Sequence, residues 1–331
     1  MKILFYNVAD IEKSFIDQWA KSNNVTVKTL SVSIDYNNIE LTRDYDAVVF
    51  YPGKAFLTDE NLYVQLAQNG MKQISVKSTG YDNINFTFAE KYHLSITNVP
   101  NYSPESVAHF TIMSIIMLLR HIPIYLYPRQ VAHRKDFIGQ ELTDLTIGIY
   151  GAGRLGSLVA KTLKYMGARV LVHSRTNKPE LEQLGIESVD FKTLLTASDV
   201  ISIHVPLNEK THHLFDFDNL SLMKQDAMLV NTARGSIIDT NALIEHLQQG
   251  KFKGVALDAL EDEEFFEITA NPYYQALMAF DNVLITPHIA YFTQAAVRDI
   301  AITALDNARD IVMNGESENI VLNWEASHEF Y

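Results

Sequence analysis

Short runs of β-branched and aromatic residues alternate along this chain with segments whose apolar positions recur at helical spacing, and the alternation occurs twice. The first series predicts strands at Ile3 to Tyr6, Val25 to Val27, Ala47 to Phe50, Ile74 to Val76 and Leu94 to Thr97, and it ends near Pro100. The second predicts six strands, at Leu145 to Tyr150, Arg169 to His173, Val200 to His204, Met228 to Asn231, Gly254 to Leu257 and Val283 to Thr286. Strands separated by helices imply parallel sheets with crossover connections, and two such series imply two α/β domains.

Between the series, Pro104 to Leu119 is apolar nearly all round, the pattern of a helix buried between layers, and it reads as the bridge into the second domain. A helix from about Gln294 to Val312 follows the last strand, and Asn319 to Leu322 then looks extended. Chain ends commonly return to the domain they started from, so the first domain is expected to be discontinuous.

Composition narrows the range of partners. Forty acidic side chains against 27 basic ones give a formal charge of -13 over 331 residues, which disfavours nucleic acid and anionic membrane surfaces. An anionic substrate must then be drawn in by a few well-placed arginines or amides. The chain has no cysteine, so disulfides and thiolate metal sites are excluded, and no resident metal is expected. The apolar run at Met1 to Val8 is too short for a secretion signal, and Phe110 to Leu119 falls short of the roughly 20 residues of a membrane span. The default address is the cytoplasm.

The most informative motif is Gly151-Ala-Gly153-Arg154-Leu155-Gly156, placed between an apolar strand and the amphipathic segment Leu158 to Met166. In that context the first glycine makes the tight turn, the second admits a pyrophosphate, the third allows close helix packing, and the helix N-terminus supplies amides to the anion. The next strand ends His173-Ser174-Arg175-Thr176 rather than in a carboxylate. A ribose 2'-phosphate meets no repulsion there and finds donors in Ser174, Arg175 and Thr176, so NADP(H) is favoured. The alternative is that Arg175 only stacks on adenine and NAD(H) is used as well.

Further motifs are Gly80-Tyr-Asp-Asn-Ile84, Asn98-Val-Pro-Asn-Tyr-Ser-Pro104, His204-Val205-Pro206-Leu207, Asn231-Thr232-Ala233-Arg234-Gly235-Ser236, Leu257-Asp258-Ala-Leu-Glu-Asp-Glu263 and Thr286-Pro-His288-Ile-Ala-Tyr291-Phe292-Thr293. Together with the glycine loop, and over nearly the whole length, they resemble the D-isomer-specific 2-hydroxyacid dehydrogenases in their D-lactate dehydrogenase branch. The resemblance implies two doubly wound parallel-sheet α/β domains: a Rossmann cofactor domain over 101–294 and a discontinuous flavodoxin-like substrate domain over 1–100 plus 295–331.

It also implies roles for particular residues. Arg234 would clamp the substrate carboxylate and polarise the neighbouring carbonyl, and His288 would protonate the developing alkoxide. Glu263 would hold His288 in its charged form, with a register shift inside the acidic run Glu261 to Glu264 as the alternative. Amides around Thr79 and Gly80 would hold the substrate carboxylate; nearby, the family often has Arg and Asp where this chain has Lys77 and Asn85. Asp258 would accept from the nicotinamide carboxamide, while His204, Val205, Pro206, Thr232 and Ala233 would wall the cofactor. Tyr102, Tyr291 and Phe292 are candidates for the side-chain pocket.

Pyruvate reduction to the D-2-hydroxy acid is the favoured reaction, with larger apolar 2-keto acids as the near alternative, because one methylene is worth only about 1 to 3 kcal/mol of discrimination. A cofactor-sensing binding protein of the corepressor type is the alternative from another class. The resemblance implies a homodimer, with Tyr125 to Phe137 as a contact region.

Overall fold

Residues whose side chains are buried on both faces form the centre of each of two parallel sheets. The computed structural model describes residues 1–126, 133–263 and 268–323. Two units result: Met1–Ser103 with the C-terminal segment from Phe292, and Pro104–Tyr291.

In the first unit, β1 (Lys2–Phe5), β2 (Thr26–Thr29), β3 (Ala47–Phe50), β4 (Gln73–Val76) and β5 (Ser95–Thr97) pair in parallel in the order β2-β1-β3-β4-β5. That is the flavodoxin-like order. Every residue of β3 and β4 is buried, as expected of parallel strands covered on both faces. A last strand, β13 (Ile320–Leu322), adds antiparallel to β5.

The helix Gln294–Asn314 fastens this edge to the sheet. Its N-cap Thr293 hydroxyl accepts from the amide of Ala296, and the helix ends at Gly315 in the left-handed region. The Ser75 hydroxyl donates to its Ala304 carbonyl at 2.8 Å, and Trp19 Nε1 from the helix Asp10–Asn23 donates to Asp306 at 2.9 Å. The helix runs two residues past the predicted end because Met313 and Asn314, which carry no stop signal, precede that glycine.

The second unit holds β6 (Thr146–Tyr150), β7 (Arg169–His173), β8 (Glu187–Ser188), β9 (Val200–Ile203), β10 (Met228–Asn231), β11 (Gly254–Leu257) and β12 (Val283–Ile285). All pairs are parallel, in the order β8-β7-β6-β9-β10-β11-β12. This is the Rossmann order with a seventh strand. The sequence reading of six strands is corrected here: β8 is two exposed residues, too short to show an apolar period.

The helix Pro104–Leu119 packs on the glycine-loop helix Arg154–Tyr165 and on β10 and β11. It is not buried all round, which corrects a second expectation: Met113 and Ile116 are 41% and 37% exposed. The glycine-loop helix begins at Arg154, one turn before the predicted start, because its first turn is built of the motif itself.

Candidate active site

The carboxyl ends of the parallel strands in the second unit carry the loops that hold nearly all the candidate residues, where such sheets bind ligands. Gly151 follows β6 with φ +99, a conformation that L side chains avoid, and a Cβ there would lie 2.5 Å from the His204 carbonyl and 2.6 Å from Val205 Cγ1. A Cβ on Gly156 would strike the Gly151 carbonyl. Gly153, in contrast, faces open space and, as the N-cap, brings no capping side chain to the helix. A turn that demands glycine at Gly151 and Gly156, closed against the His204-Val205 segment and open at Gly153 over the helix N-terminus, fits a dinucleotide pyrophosphate. Leu155 packs into the core behind it.

β7 ends at His173, whose carbonyl accepts the Gly151 amide at 2.9 Å, so Ser174, Arg175 and Thr176 lie beyond the strand next to the loop. The positive charge of Arg175 acts on the Tyr150 hydroxyl, opposing the upward push of burial on its pKa. Asp190, the acidic residue after β8, is engaged as the cap of the helix Phe191–Ala197.

His204 follows β9, with Nε2 2.9 Å from the Ser202 hydroxyl and a buried Nδ1 that has no partner among the described residues. Burial pushes its pKa down to about 4, so the ring is neutral near neutral pH.

After β10, the fully buried Asn231 shapes the next loop, its Oδ1 accepting the Ala233 amide and its Nδ2 donating to the Arg234 carbonyl at 2.8 Å. Arg234 leaves that turn extended and half-buried, with Nη1 on the Ala233 carbonyl. Thr232 Oγ1 meets Thr111 Oγ1 at 2.9 Å. Gly235 explains the motif's next position, since a Cβ there would collide with the Leu260 carbonyl carbon and the Glu261 amide. The Arg234 loop therefore lies directly on the turn that carries Glu263.

Glu263 Oε1 is 2.6 Å from His288 Nδ1, and its Oε2 accepts the Leu260 amide at 3.1 Å. Of the acidic run it is Glu263 that meets His288, whereas Glu261 faces the other way and meets His213 Nε2. His288 sits at φ +55, a strained position for a residue other than glycine. Tyr291 presents its ring edge-on at 6.3 Å from the imidazole.

Asp258 holds this turn in place. Its Oδ1 accepts the Thr286 hydroxyl at 2.6 Å and the Ile289 amide at 3.0 Å, and its Oδ2 accepts the Ala290 amide at 2.8 Å. Burial raises its pKa, while these donors and the charge of His288 pull the other way. The positioning roles of Asp258 and Asn231 were not legible in sequence; an Asp or Asn at a strand end gives no sign of which loop it caps.

The remaining candidates lie in the first unit. Thr79 is exposed, with its hydroxyl on the Val99 carbonyl and its own carbonyl accepting from Asn98 Nδ2, and the Gly80 carbonyl accepts from Ser78. Tyr102 is half-buried, and Phe292 is exposed at the start of that unit's second segment. Near this turn, Lys77 Nζ donates to buried Glu12 at 2.6 Å and to the Asn7 carbonyl at 2.7 Å, and Asn85 caps the helix Phe86–Lys91.

Residues 112–290 match the family described as D-isomer specific 2-hydroxyacid dehydrogenase, NAD binding domain. A D-lactate/D-glycerate dehydrogenase of Pediococcus acidilactici is 34% identical over 97% of this chain and 99% of its own. Among solved structures, a D-lactate dehydrogenase from Sporolactobacillus sp. superposes with a TM-score of 0.79 at 35% identity, covering 97% of this chain and 99% of its own. The D-lactate dehydrogenase of Lactobacillus jensenii, solved with NAD+, superposes at 0.80 with 33% identity and the same coverage. The chain therefore belongs to the D-isomer-specific 2-hydroxyacid dehydrogenase family and is an NAD(P)-dependent oxidoreductase.

Proposed function

We propose that this enzyme reduces a small 2-keto acid, pyruvate foremost, to the D-2-hydroxy acid with NADPH. The observation that carries the chemistry is the Glu263–His288 pair, set on the turn against which Gly235 seats the Arg234 loop. When bound, the nicotinamide supplies a hydride to the carbonyl carbon. Arg234 clamps the substrate carboxylate and polarises the carbonyl, and His288 delivers its proton from Nε2 to the oxygen. Glu263 at Nδ1 orients the ring so that Nε2 faces the substrate. In the first unit, the amides of Thr79 and Gly80 serve the carboxylate, and Tyr102 and Phe292 serve the side chain, as does Tyr291 in the second.

Cofactor choice rests on the end of β7. A 2'-hydroxyl is matched by a carboxylate acceptor, whereas Ser174-Arg175-Thr176 offers donors and a positive charge to a 2'-phosphate. His204, Val205, Pro206, Thr232 and Ala233 line the cofactor, and Asp258 accepts from its carboxamide while it holds the His288 turn.

A homodimer is part of the proposal. Met113, Ile116, Tyr125 and Leu126 are exposed apolar side chains of the second unit, of the kind a subunit interface covers. Of the contact region 125–137, residues 127–132 lie outside the described residues.

The test is oxidation of NADPH and, separately, NADH with pyruvate, then with longer and branched 2-keto acids. Preference for NADPH with pyruvate supports the reading. A preference for NADH overturns the cofactor assignment, a larger best substrate overturns pyruvate, and no turnover with any keto acid overturns the proposed reaction.

A further inference from the structure

Behind the Glu263 turn lies a second cluster that the proposed reaction does not use. His212 and His213 follow β9 in a turn, and their rings stack with centroids 4.0 Å apart and planes 28° apart. Consecutive residues of an extended chain point to opposite sides; here His213 takes φ +48, which brings both imidazoles to one side. The turn is pinned from below, where the His213 amide donates to the Ser236 carbonyl at 2.8 Å and Phe215 bridges to Ile238.

Glu261 reaches this pair from the β11 side. Its side chain is only 10% exposed, and Oε2 accepts the Thr240 amide at 3.2 Å. Its peptide carbonyl accepts from Asn271 Nδ2 at 2.7 Å. Held in this way, Glu261 aims Oε1 at His213 Nε2. One ligand atom from each of His212, His213 and Glu261 lies within 4.8 Å of the others.

We propose that His212, His213 and Glu261 bind one transition-metal dication of the zinc class. Two imidazoles and a carboxylate are a donor set that Zn2+ accepts, with bonds of about 2.0 to 2.2 Å and a water in the fourth position. Such bonds set ligand atoms about 3.4 Å apart in a tetrahedron. The His213–Glu261 hydrogen bond opens by about an ångström and His212 swings inward, movements within reach of side-chain rotation. One His213 bond already satisfies Glu261 Oε1; a second ring brought to the same carboxylate is what a chelate requires. Calcium and magnesium, which prefer oxygen-rich sites, are disfavoured. The Thr240 amide plays the supporting part, orienting the ligating carboxylate. Exposed His212 leaves the site open to solvent for entry. Glu261 is two residues from Glu263, so an ion here restrains the turn that carries the candidate catalytic carboxylate.

The test uses the full-length, untagged chain and Zn2+ alone, competed against a chromogenic chelator, and its readout is binding, independent of keto-acid turnover. One Zn2+ per chain at micromolar or tighter affinity is expected. Loss of at least about tenfold in affinity is expected for His212→Ala and Glu261→Gln, with His288→Ala binding as wild type. His212 is exposed, so its variant keeps the fold even where the buried Glu261 substitution does not. Absence of stoichiometric binding by the wild type, or a His212→Ala titration like that of the wild type, overturns the proposal. Loss of binding in His288→Ala overturns it too, by moving the ion to the other pair.

Discussion

Glu263 and His288 meet across the ends of two adjacent strands, β11 and β12, with Oε1 2.6 Å from Nδ1. The pair fixes the orientation of the imidazole. Replacing Glu263 with Gln keeps a hydrogen-bond acceptor at Nδ1 but removes the charge. We expect kcat for keto-acid reduction to fall roughly 10- to 100-fold, part of the ~10² to 10⁴ that a positioned acid supplies. Steady-state kinetics check this, and an unchanged kcat removes Glu263 from the chemistry.

Gly235 ties the Arg234 loop to that same turn, because a Cβ would meet backbone atoms of Leu260 and Glu261 that cannot rotate away. Gly235→Ala should cost about 1 to 3 kcal/mol of stability and lower kcat/KM by 10²-fold or so, as the arginine shifts by about an ångström. Denaturant unfolding alongside kinetics reads both effects; an alanine variant with normal turnover shows that the two loops need not stay packed.

Ser174→Asp introduces the carboxylate that the end of β7 lacks. NADPH should lose at least about tenfold in kcat/KM through repulsion of the 2'-phosphate, and NADH should gain from a new acceptor for its ribose hydroxyl. If both cofactors respond alike, the 2'-position does not lie at Ser174.

His204 sets a pH dependence of stability. Its folded-state pKa is depressed from 6.5 to about 4, so the unfolded chain takes up a proton that the folded chain refuses. Stability from this group is complete above about pH 6.5 and drains away as pH falls toward 4. Relative to His204→Gln, the cofactor-free wild type should lose up to about 3 kcal/mol across that window. Parallel pH dependences for the two proteins would show that the ring protonates as easily folded as unfolded.

Lys77 and Glu12 form an ion pair whose side chains are 11% and 4% exposed, and burial lowers the Lys77 pKa against the pull of Glu12. Lys77→Met leaves the carboxylate buried without its counter-charge and should cost about 3 to 5 kcal/mol, most of it recovered in Lys77→Met with Glu12→Leu. Lys13→Ala, which breaks an ion pair whose Asp10 partner is almost fully exposed, should leave the urea midpoint almost unchanged. Urea midpoints for the set decide the matter, and a cheap Lys77→Met would mean that water reaches Glu12.

The amino-acid pattern alone determined the strands of both sheets to within a residue or two, the helix Pro104–Leu119 and the glycine loop, since these depend on neighbours a few residues apart. It missed β8, where two exposed residues carry no period, and the exposed face at Met113 and Ile116. Tertiary structure alone decided which carboxylate meets which histidine: Glu263 with His288, Glu261 with His213, and Asp258 with the Thr286 to Ala290 turn. The physical reason is strand order. Loops far apart in sequence become neighbours only when β9, β10, β11 and β12 lie side by side, and no local period encodes which side chain each loop will then face.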